Sequence, residues 1–238
     1  MKTEYFDLKN KRALVSGGAS GIGASIVEHL CEQGVEVYFF DINKNEAKKT
    51  INKIKKKKFK TPFFVECNIK NIKKYKSLIL NIIKKQGPID ILVNNAGAIF
   101  SEPFVNIMNP DSIMHDYNRF RASLAVNLDS VFIVTSAVVE QMVKRRTKGT
   151  IVNISSISAY GNEGQTAYSA AKAGVNAMTV TWSKELGRLG IRVNALAPGF
   201  IRTESTQSSL GGSYIKDIVD NTPLRRLGDP EDVALAAI

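Results

Sequence analysis

Short apolar runs alternate with amphipathic stretches along most of the chain. β-Branched and aromatic residues cluster at 13–16, 35–40, 62–67, 89–93, 149–155 and 191–197, between Gly, Pro or polar residues, and predict six strands. Between them the apolar positions recur every three or four residues. Ile22, Ile26, Val27 and Leu30 share one face of a helix over 20–33, which Gly34 closes. A polar helix over 45–58 turns Ile51 and Ile54 inward, and another runs from about 72 to 85. A long helix is predicted over 117–146, and a further one carries Tyr168 and runs to about 189. The strands are continuously apolar, as in parallel sheets buried on both faces. Right-handed crossovers then give an α/β fold, a doubly wound parallel sheet with helices on both faces. No linker or repeat interrupts the pattern, so residues 1–238 are read as a single domain.

Composition narrows the classes. Hydrophobic residues make up 44% and charged residues 23% of the chain, which fits a globular protein in water. No uninterrupted apolar run approaches the roughly 20 residues of a membrane span. The start of the chain lacks an apolar signal core. Cys31 and Cys67 lie in different elements without metal-ligand spacing. No metal site is expected, and both are read as buried, reduced thiols of a cytoplasmic protein. The net charge of +11 is concentrated: residues 44–85 hold fifteen Lys against Glu46 and Glu66. That block contains no Arg and no interleaved aromatic ladder, so it is read as a solvated helix surface, and nucleic acid is not expected as a partner. His29 and His115 are read as structural.

Chemistry gathers at the ends of the strands. Gly17, Gly21 and Gly23 follow the first strand and open the first helix, with Ser20 and Ile22 between them. Small residues there let the backbone turn tightly, and a pyrophosphate can approach the helix N-terminus. The G-x-x-x-G-x-G spacing is not the G-x-G-x-x-G fingerprint and could serve a tight connection alone, but its place after a buried strand points to a nucleotide and to a Rossmann-type, dinucleotide-binding fold. Asp41 ends the second strand, where a carboxylate binds both adenosine ribose hydroxyls and repels a 2′-phosphate. No Arg or Lys lies between Gly17 and Gly21 to hold that phosphate. The expected cofactor is NAD, with NADP disfavoured. Tyr168 and Lys172 are spaced i,i+4 and share a helix face. An ammonium beside a phenol lowers the phenol pKa, and a Ser from the preceding strand end can bond the same substrate oxygen. That equipment moves a proton on or off a hydroxyl or carbonyl near neutral pH.

Together these residues resemble the short-chain dehydrogenase/reductase family, in order, from Arg12 to about Ala237. The glycine turn resembles its cofactor turn, and Asn94-Asn95-Ala96-Gly97 the segment after its fourth strand. Asn127 resembles the helix asparagine that holds a water in the proton relay. Ser156, Tyr168 and Lys172 resemble the catalytic Ser, Tyr and Lys. Pro198, Gly199, Ile201 and Thr203 resemble the loop that contacts the nicotinamide amide. The resemblance implies Tyr168 as general acid/base and Ser156 as the group that orients the substrate oxygen. It implies that Lys172 lowers the Tyr168 pKa and holds the nicotinamide ribose. Asn68 stands where the family often has an Asp beside the adenine, and Asn68 and Ile69 are expected there. The implied activity is NAD(H)-dependent hydride transfer between nicotinamide and a secondary alcohol or ketone. The alternative is a 3-oxoacyl-[acyl-carrier-protein] reductase, suggested by Gly161-Asn-Glu-Gly-Gln-Thr and the basic Lys144, Arg145 and Arg146. A catalytically weak dinucleotide-binding scaffold is a third reading.

Four departures accompany the resemblance. Ser156 is 12 residues before Tyr168, and Ser155 is at the usual offset of 13; strand register favours Ser156. The stretch 98–121 is longer than expected. Residues 204–214 read as a lid with a hinge at Gly211-Gly212. The chain ends at Ile238, short of the family's last strand and tail, so the sixth strand is expected to be an exposed edge. A homo-oligomer, tetramer or dimer, is expected where that C-terminal part is present.

Overall fold

The computed structural model describes residues 8–69, 71–110, 112–204, 206 and 212–238. Six parallel strands form one sheet: β1 (Arg12–Ser16), β2 (Glu36–Asp41), β3 (Phe63–Glu66), β4 (Ile91–Asn94), β5 (Gly149–Ile154) and β6 (Ile191–Leu196). Their order is β3-β2-β1-β4-β5-β6. The direction of winding reverses between β1 and β4, which leaves a crevice above their C-terminal ends. The helices are α1 (Gly21–Glu32), α2 (Lys44–Lys56), α3 (Ile72–Gln86), α4 (Tyr117–Leu124), α5 (Ser130–Arg145), α6 (Thr166–Leu186), α7 (Gly212–Asn221) and α8 (Pro230–Ala237). All six predicted strands are present, shifted by one or two residues at their ends.

The strand period of two divides the core. Val15, Phe39 and Val93 pack with Ile26 and Leu30 of α1 and with Val233 of α8. Their neighbours Leu14, Phe40 and Leu92 pack on the opposite face with Tyr75 and Ile79 of α3 and Val134 and Val138 of α5. Burying side chains of this size contributes about 1.5–3 kcal/mol each. The continuously apolar strands are thus explained by two covered faces.

Two expectations are modified. The helix predicted over 117–146 forms, but a π-helical turn, Ala125–Asp129, separates α4 from α5. The Ser130 hydroxyl donates to the Val126 carbonyl at 2.6 Å, and Asn127 Nδ2 donates to the Ser123 carbonyl at 3.0 Å. Side chains thereby occupy carbonyls that regular i,i+4 backbone bonds would use. The same stretch, Tyr117–Arg145, is long and apolar enough to cross a membrane, contrary to the run-length reading. Half of its most apolar window is buried in this fold, where α5 packs against α3 and β4.

The Lys-rich block lies largely on exposed faces of α2 and α3. Some of its charges are paired: Lys53 lies 2.8 Å from the buried carboxylate of Glu28 on α1, and Lys57 pairs with the same group. Burial acts to raise the Glu28 pKa, and the two ammonium groups outweigh it, leaving the carboxyl below its ordinary value. Lys70 lies outside the described residues. β6 pairs with β5 alone among the described residues, with Ile191 and Val193 buried.

Candidate functional site

A cavity of about 620 Å³ opens over the C-terminal ends of β1, β4 and β5, at the winding switch. The glycine turn forms one wall. Gly17 takes φ +67°, and its amide donates to the Phe40 carbonyl at 2.8 Å, so the turn folds back over β2. A Cβ on Gly23 would sit 1.9 Å from the Gly17 carbonyl oxygen; only glycine lets α1 begin this close to the turn. Asn95 fastens the turn from β4: its Nδ2 donates to the carbonyls of Ser16 and Gly17 at 3.1 and 2.9 Å. The Ser16 hydroxyl in return accepts from the Asn95 and Ala96 amides, each at 3.0 Å.

Asp41 closes this end of the cleft. Its carboxylate accepts from the Ala19 amide and the Asn43 amide, both at 3.0 Å, which points it at the glycine turn. Lys44, the basic residue nearest in sequence, forms a 2.7 Å ion pair with Glu66 instead. Asn68 and Ile69 line the same end.

The opposite end holds the titratable pair. Tyr168 and Lys172 are both buried on α6. The Lys172 ammonium donates to the Ile154 carbonyl at 2.7 Å and lies 5.6 Å from the centre of the Tyr168 ring. Burial lowers its pKa to about 8. Burial also raises the Tyr168 phenol above its ordinary value, and the hydrogen-bonded Ser156 hydroxyl pulls it partly back. In the protein alone the phenol is therefore shifted upward, opposite to the lowering expected from Lys172. Desolvation outweighs the neighbouring dipoles here.

The two serines separate in space. The Ser156 hydroxyl reaches Tyr168 and also accepts from the Ser158 amide at 3.1 Å. The buried Ser155 hydroxyl donates to the Lys172 backbone carbonyl at 3.4 Å. Asn127 does not line the cleft. It is fully buried, and its amide clasps the Ala98 peptide, Nδ2 to the carbonyl at 2.8 Å and Oδ1 from the amide at 3.0 Å. Gly97 separates it from Lys172: a Cβ there would fall 2.8 Å from Asn127 Oδ1 and 3.7 Å from the Lys172 ammonium.

Of the other sequence-predicted residues, Gly17, Ser20, Ile22, Gly23, Asn95, Ala96, Gly97, Pro198, Gly199, Ile201 and Thr203 line the cleft. Gly21 does not line it; it sits behind the wall against the Thr203 side chain. The Thr203 hydroxyl accepts from the Thr206 amide at 3.2 Å. Most of the lid anticipated over 204–214 lies outside the described residues. Ile99 and Phe100, from the stretch 98–121 that borders the substrate side, also line the cavity, as do Ile42, Asn162 and Gln165, which sequence reasoning did not single out as site residues. Ile42 had a signal, since it directly follows Asp41 at the end of β2. The others lie in loops without periodicity. Among the described residues no cluster of His, Cys, Asp and Glu is arranged to hold a metal.

Comparison with known proteins identifies the family. The family model for short chain dehydrogenases matches residues 11–211. The chain is 39% identical over 228 residues to a 3-oxoacyl-[acyl-carrier-protein] reductase of Thermotoga maritima, covering 95% of this chain and 88% of that one. It is 38% identical over 200 residues to a sorbitol-6-phosphate 2-dehydrogenase of Klebsiella pneumoniae, covering 83% and 71%. Among solved structures, a single-substitution variant of actinorhodin polyketide ketoreductase with NADPH superposes with a TM-score of 0.85 at 27% identity, covering 95% of this chain and 88% of that one. The family match and these relatives show that the chain belongs to the short-chain dehydrogenases, oxidoreductases that act on CH–OH groups.

Proposed function

We propose that this enzyme is an NAD(H)-dependent oxidoreductase for a secondary alcohol and its ketone, with Tyr168 as general acid/base. The observation that carries the reading is the meeting of the Tyr168 phenol, the Ser156 hydroxyl and the Lys172 ammonium at one end of a cleft whose other end is Asp41. The residues present fit a dinucleotide. Gly23 lets the α1 N-terminus close on the glycine turn at the cleft wall, where a pyrophosphate can approach, and Asp41 offers carboxylate oxygens to ribose hydroxyls. Asn68, Ile69 and Ala96 would flank the adenosine. Pro198, Gly199, Ile201 and Thr203 would flank the nicotinamide, and Lys172 its ribose. Bound nicotinamide supplies the hydride, chemistry that no side chain provides.

The protein's own groups handle the proton and the oxygen. With its pKa raised by burial, Tyr168 carries its proton at neutral pH. It then donates to a carbonyl oxygen as hydride arrives, which suits reduction. Ser156 hydrogen-bonds the same oxygen and stabilises its developing charge. Lys172, held by Ile154, places a cation beside the phenolate that forms. Asn127 acts on the relay by holding the Ala98 peptide beside Gly97. NADH and NADPH turnover on a panel of ketones, with Tyr168→Phe as control, tests this; equal turnover by the variant would defeat it.

A second reading, a 3-oxoacyl-[acyl-carrier-protein] reductase, draws support from relatives of that name at 34–39% identity. Its test is turnover of an acetoacetyl thioester with NADPH against NADH. A strong NADPH preference favours it and counts against the Asp41 argument. We further take the chain to act as a single dinucleotide-binding domain in the cytoplasm, assembled as a dimer or tetramer. Light scattering of the protein in solution tests the assembly.

A further inference from the structure

The segment between Gly97 and α4 runs past the mouth of the cleft, and one residue in it, Glu102, contacts the starts of both α6 and α4. Glu102 uses its backbone on one side. Its amide donates to the Gly164 carbonyl at 2.7 Å, and it forms an isolated parallel bridge with Gln165. Gln165 directly precedes α6, where Tyr168 is the third residue. Glu102 uses its side chain on the other. Oε1 accepts from the Asp116 amide at 3.3 Å, and Oε2 lies 3.1 Å from Arg119 Nε and 3.9 Å from His115 Nε2. Asp116 is the N-cap of α4, the helix that continues into the π turn holding Asn127. A carboxylate suits a helix N-terminus, where the free amides and the dipole favour negative charge. The hairpin between these anchors closes on itself: His115 Nδ1 donates to the Glu102 carbonyl at 3.2 Å, and Val105 bridges Met114.

The approach to α6 needs such an anchor. Gly161 and Gly164 both take positive φ, and a Cβ at either would meet no neighbour, so no side-chain contact holds the backbone at these two positions. Gln165 Oε1 and Ser169 Oγ are buried there without hydrogen-bond partners among the described residues, so their own side chains add little to hold the turn. The bond from Glu102 is what ties this approach to the rest of the fold. The Glu102 side chain is 14% exposed, while its partners Asp116 and Arg119 lie at the surface.

We propose that Glu102 is a positioning residue for the Tyr168 site. It sets the start of α6 against the start of α4, and so Tyr168 against Asn127, and through Gln165 and Phe100 the substrate wall of the cleft. The proposal rests on the reading of Tyr168 as acid/base. A displacement of about 1 Å at a reacting group can cost as much as a hundredfold in rate.

Glu102→Ala and Glu102→Gln test it, with acetoacetyl-N-acetylcysteamine as probe and Tyr168→Phe alongside. Glu102→Ala is expected to lower kcat/KM about 10- to 100-fold while the NADH Kd stays within twofold. Glu102→Gln keeps the acceptor for the Asp116 amide and is expected to recover activity to within about fivefold of wild type. Hydrogen exchange gives a readout independent of turnover. Glu102→Ala removes the side-chain contacts to the start of α4 and leaves the backbone bond to Gly164 in place, so faster exchange is expected over 116–124 and, to a smaller extent through the loosened Glu102 backbone, over 162–169, while 36–47 does not change. Should Glu102→Ala fail to fold, Arg119→Ala removes the carboxylate's partner and should move the same two peptides. Unchanged exchange in both peptides, or a Glu102→Ala enzyme within twofold of wild type while Tyr168→Phe is dead, overturns the positioning role and leaves the acid/base reading intact. Equal turnover by Tyr168→Phe instead removes the acid/base reading, and with it the proposal.

Discussion

The Lys172 ammonium and the Tyr168 ring lie 5.6 Å apart, and the ammonium is anchored to the Ile154 carbonyl at 2.7 Å. The cation is therefore set by the end of β5 as well as by its own helix. Its place beside the phenol survives changes in the phenol's charge, which a proton-transfer site requires.

Removing the phenol oxygen should abolish acid/base work and leave the cleft intact. Tyr168→Phe is expected to lower ketone reduction about 10²- to 10⁴-fold. NADH affinity, followed by nucleotide fluorescence, should change by less than about threefold. For the wild type, kcat/KM for reduction should fall as pH rises through the Tyr168 pKa, because the acid must carry its proton. Alcohol oxidation should respond in the opposite sense. A reduction rate that climbs with pH would contradict this assignment.

The buried ammonium makes stability depend on pH. Between about 8, its folded pKa, and the ordinary 10.5, the unfolded chain holds a proton that the folded chain has lost. Stability from this group therefore rises with pH across that window, and the whole burden of the buried cation is present below about 8. At pH 7 that burden is on the order of 3 kcal/mol. Lys172→Met removes it but leaves the Ile154 carbonyl without its donor, at a cost of about 1–3 kcal/mol. The variant should melt above wild type at pH 7, and its advantage should disappear toward pH 10.5. Melting curves at pH 6, 8 and 10 measure this; a difference that does not vary with pH would rule it out.

The two adjacent serines should respond differently. Ser156→Ala removes the hydroxyl bonded to Tyr168 and should lower kcat about 10²- to 10³-fold. Ser155→Ala removes a 3.4 Å bond to the Lys172 carbonyl and should cost less than about tenfold. Steady-state kinetics of the two variants decide between them, and the reverse order would move the site to Ser155.

Asp41→Ala should shift cofactor choice. The change removes a carboxylate beside the ribose site, with Lys44 already engaged by Glu66. Loss of hydrogen bonds to a charged group, at about 1.5–3 kcal/mol, should weaken NADH by about 10- to 100-fold. NADPH should lose less or gain. Paired kcat/KM values for the two cofactors check this, and an unchanged ratio would show that Asp41 does not discriminate.

Much of the site was legible because the residues concerned act locally. The glycine turn is readable since Gly17 needs positive φ and Gly23 needs the missing Cβ. Asp41 is readable since a strand end in this topology faces the crevice. The upward shift of Tyr168 was not legible. The i,i+4 spacing shows a cation nearby, but the strength of desolvation depends on everything packed around the ring. Nor was the role of Asn127 side-chain contacts legible, because its partner Ala98 is 29 residues away.

The sequence by itself determined the six strands, the five helical stretches before the last strand, the glycine turn with Asp41 and the family, because periodicity, turn glycines and motif order are properties of neighbouring residues. The tertiary structure alone decided that burial raises the Tyr168 phenol, that the long helix widens at Asn127, and that Glu102 spans the starts of two helices. Each of those depends on the angle at which distant segments are packed, and on which hydrogen bonds that packing leaves to be made.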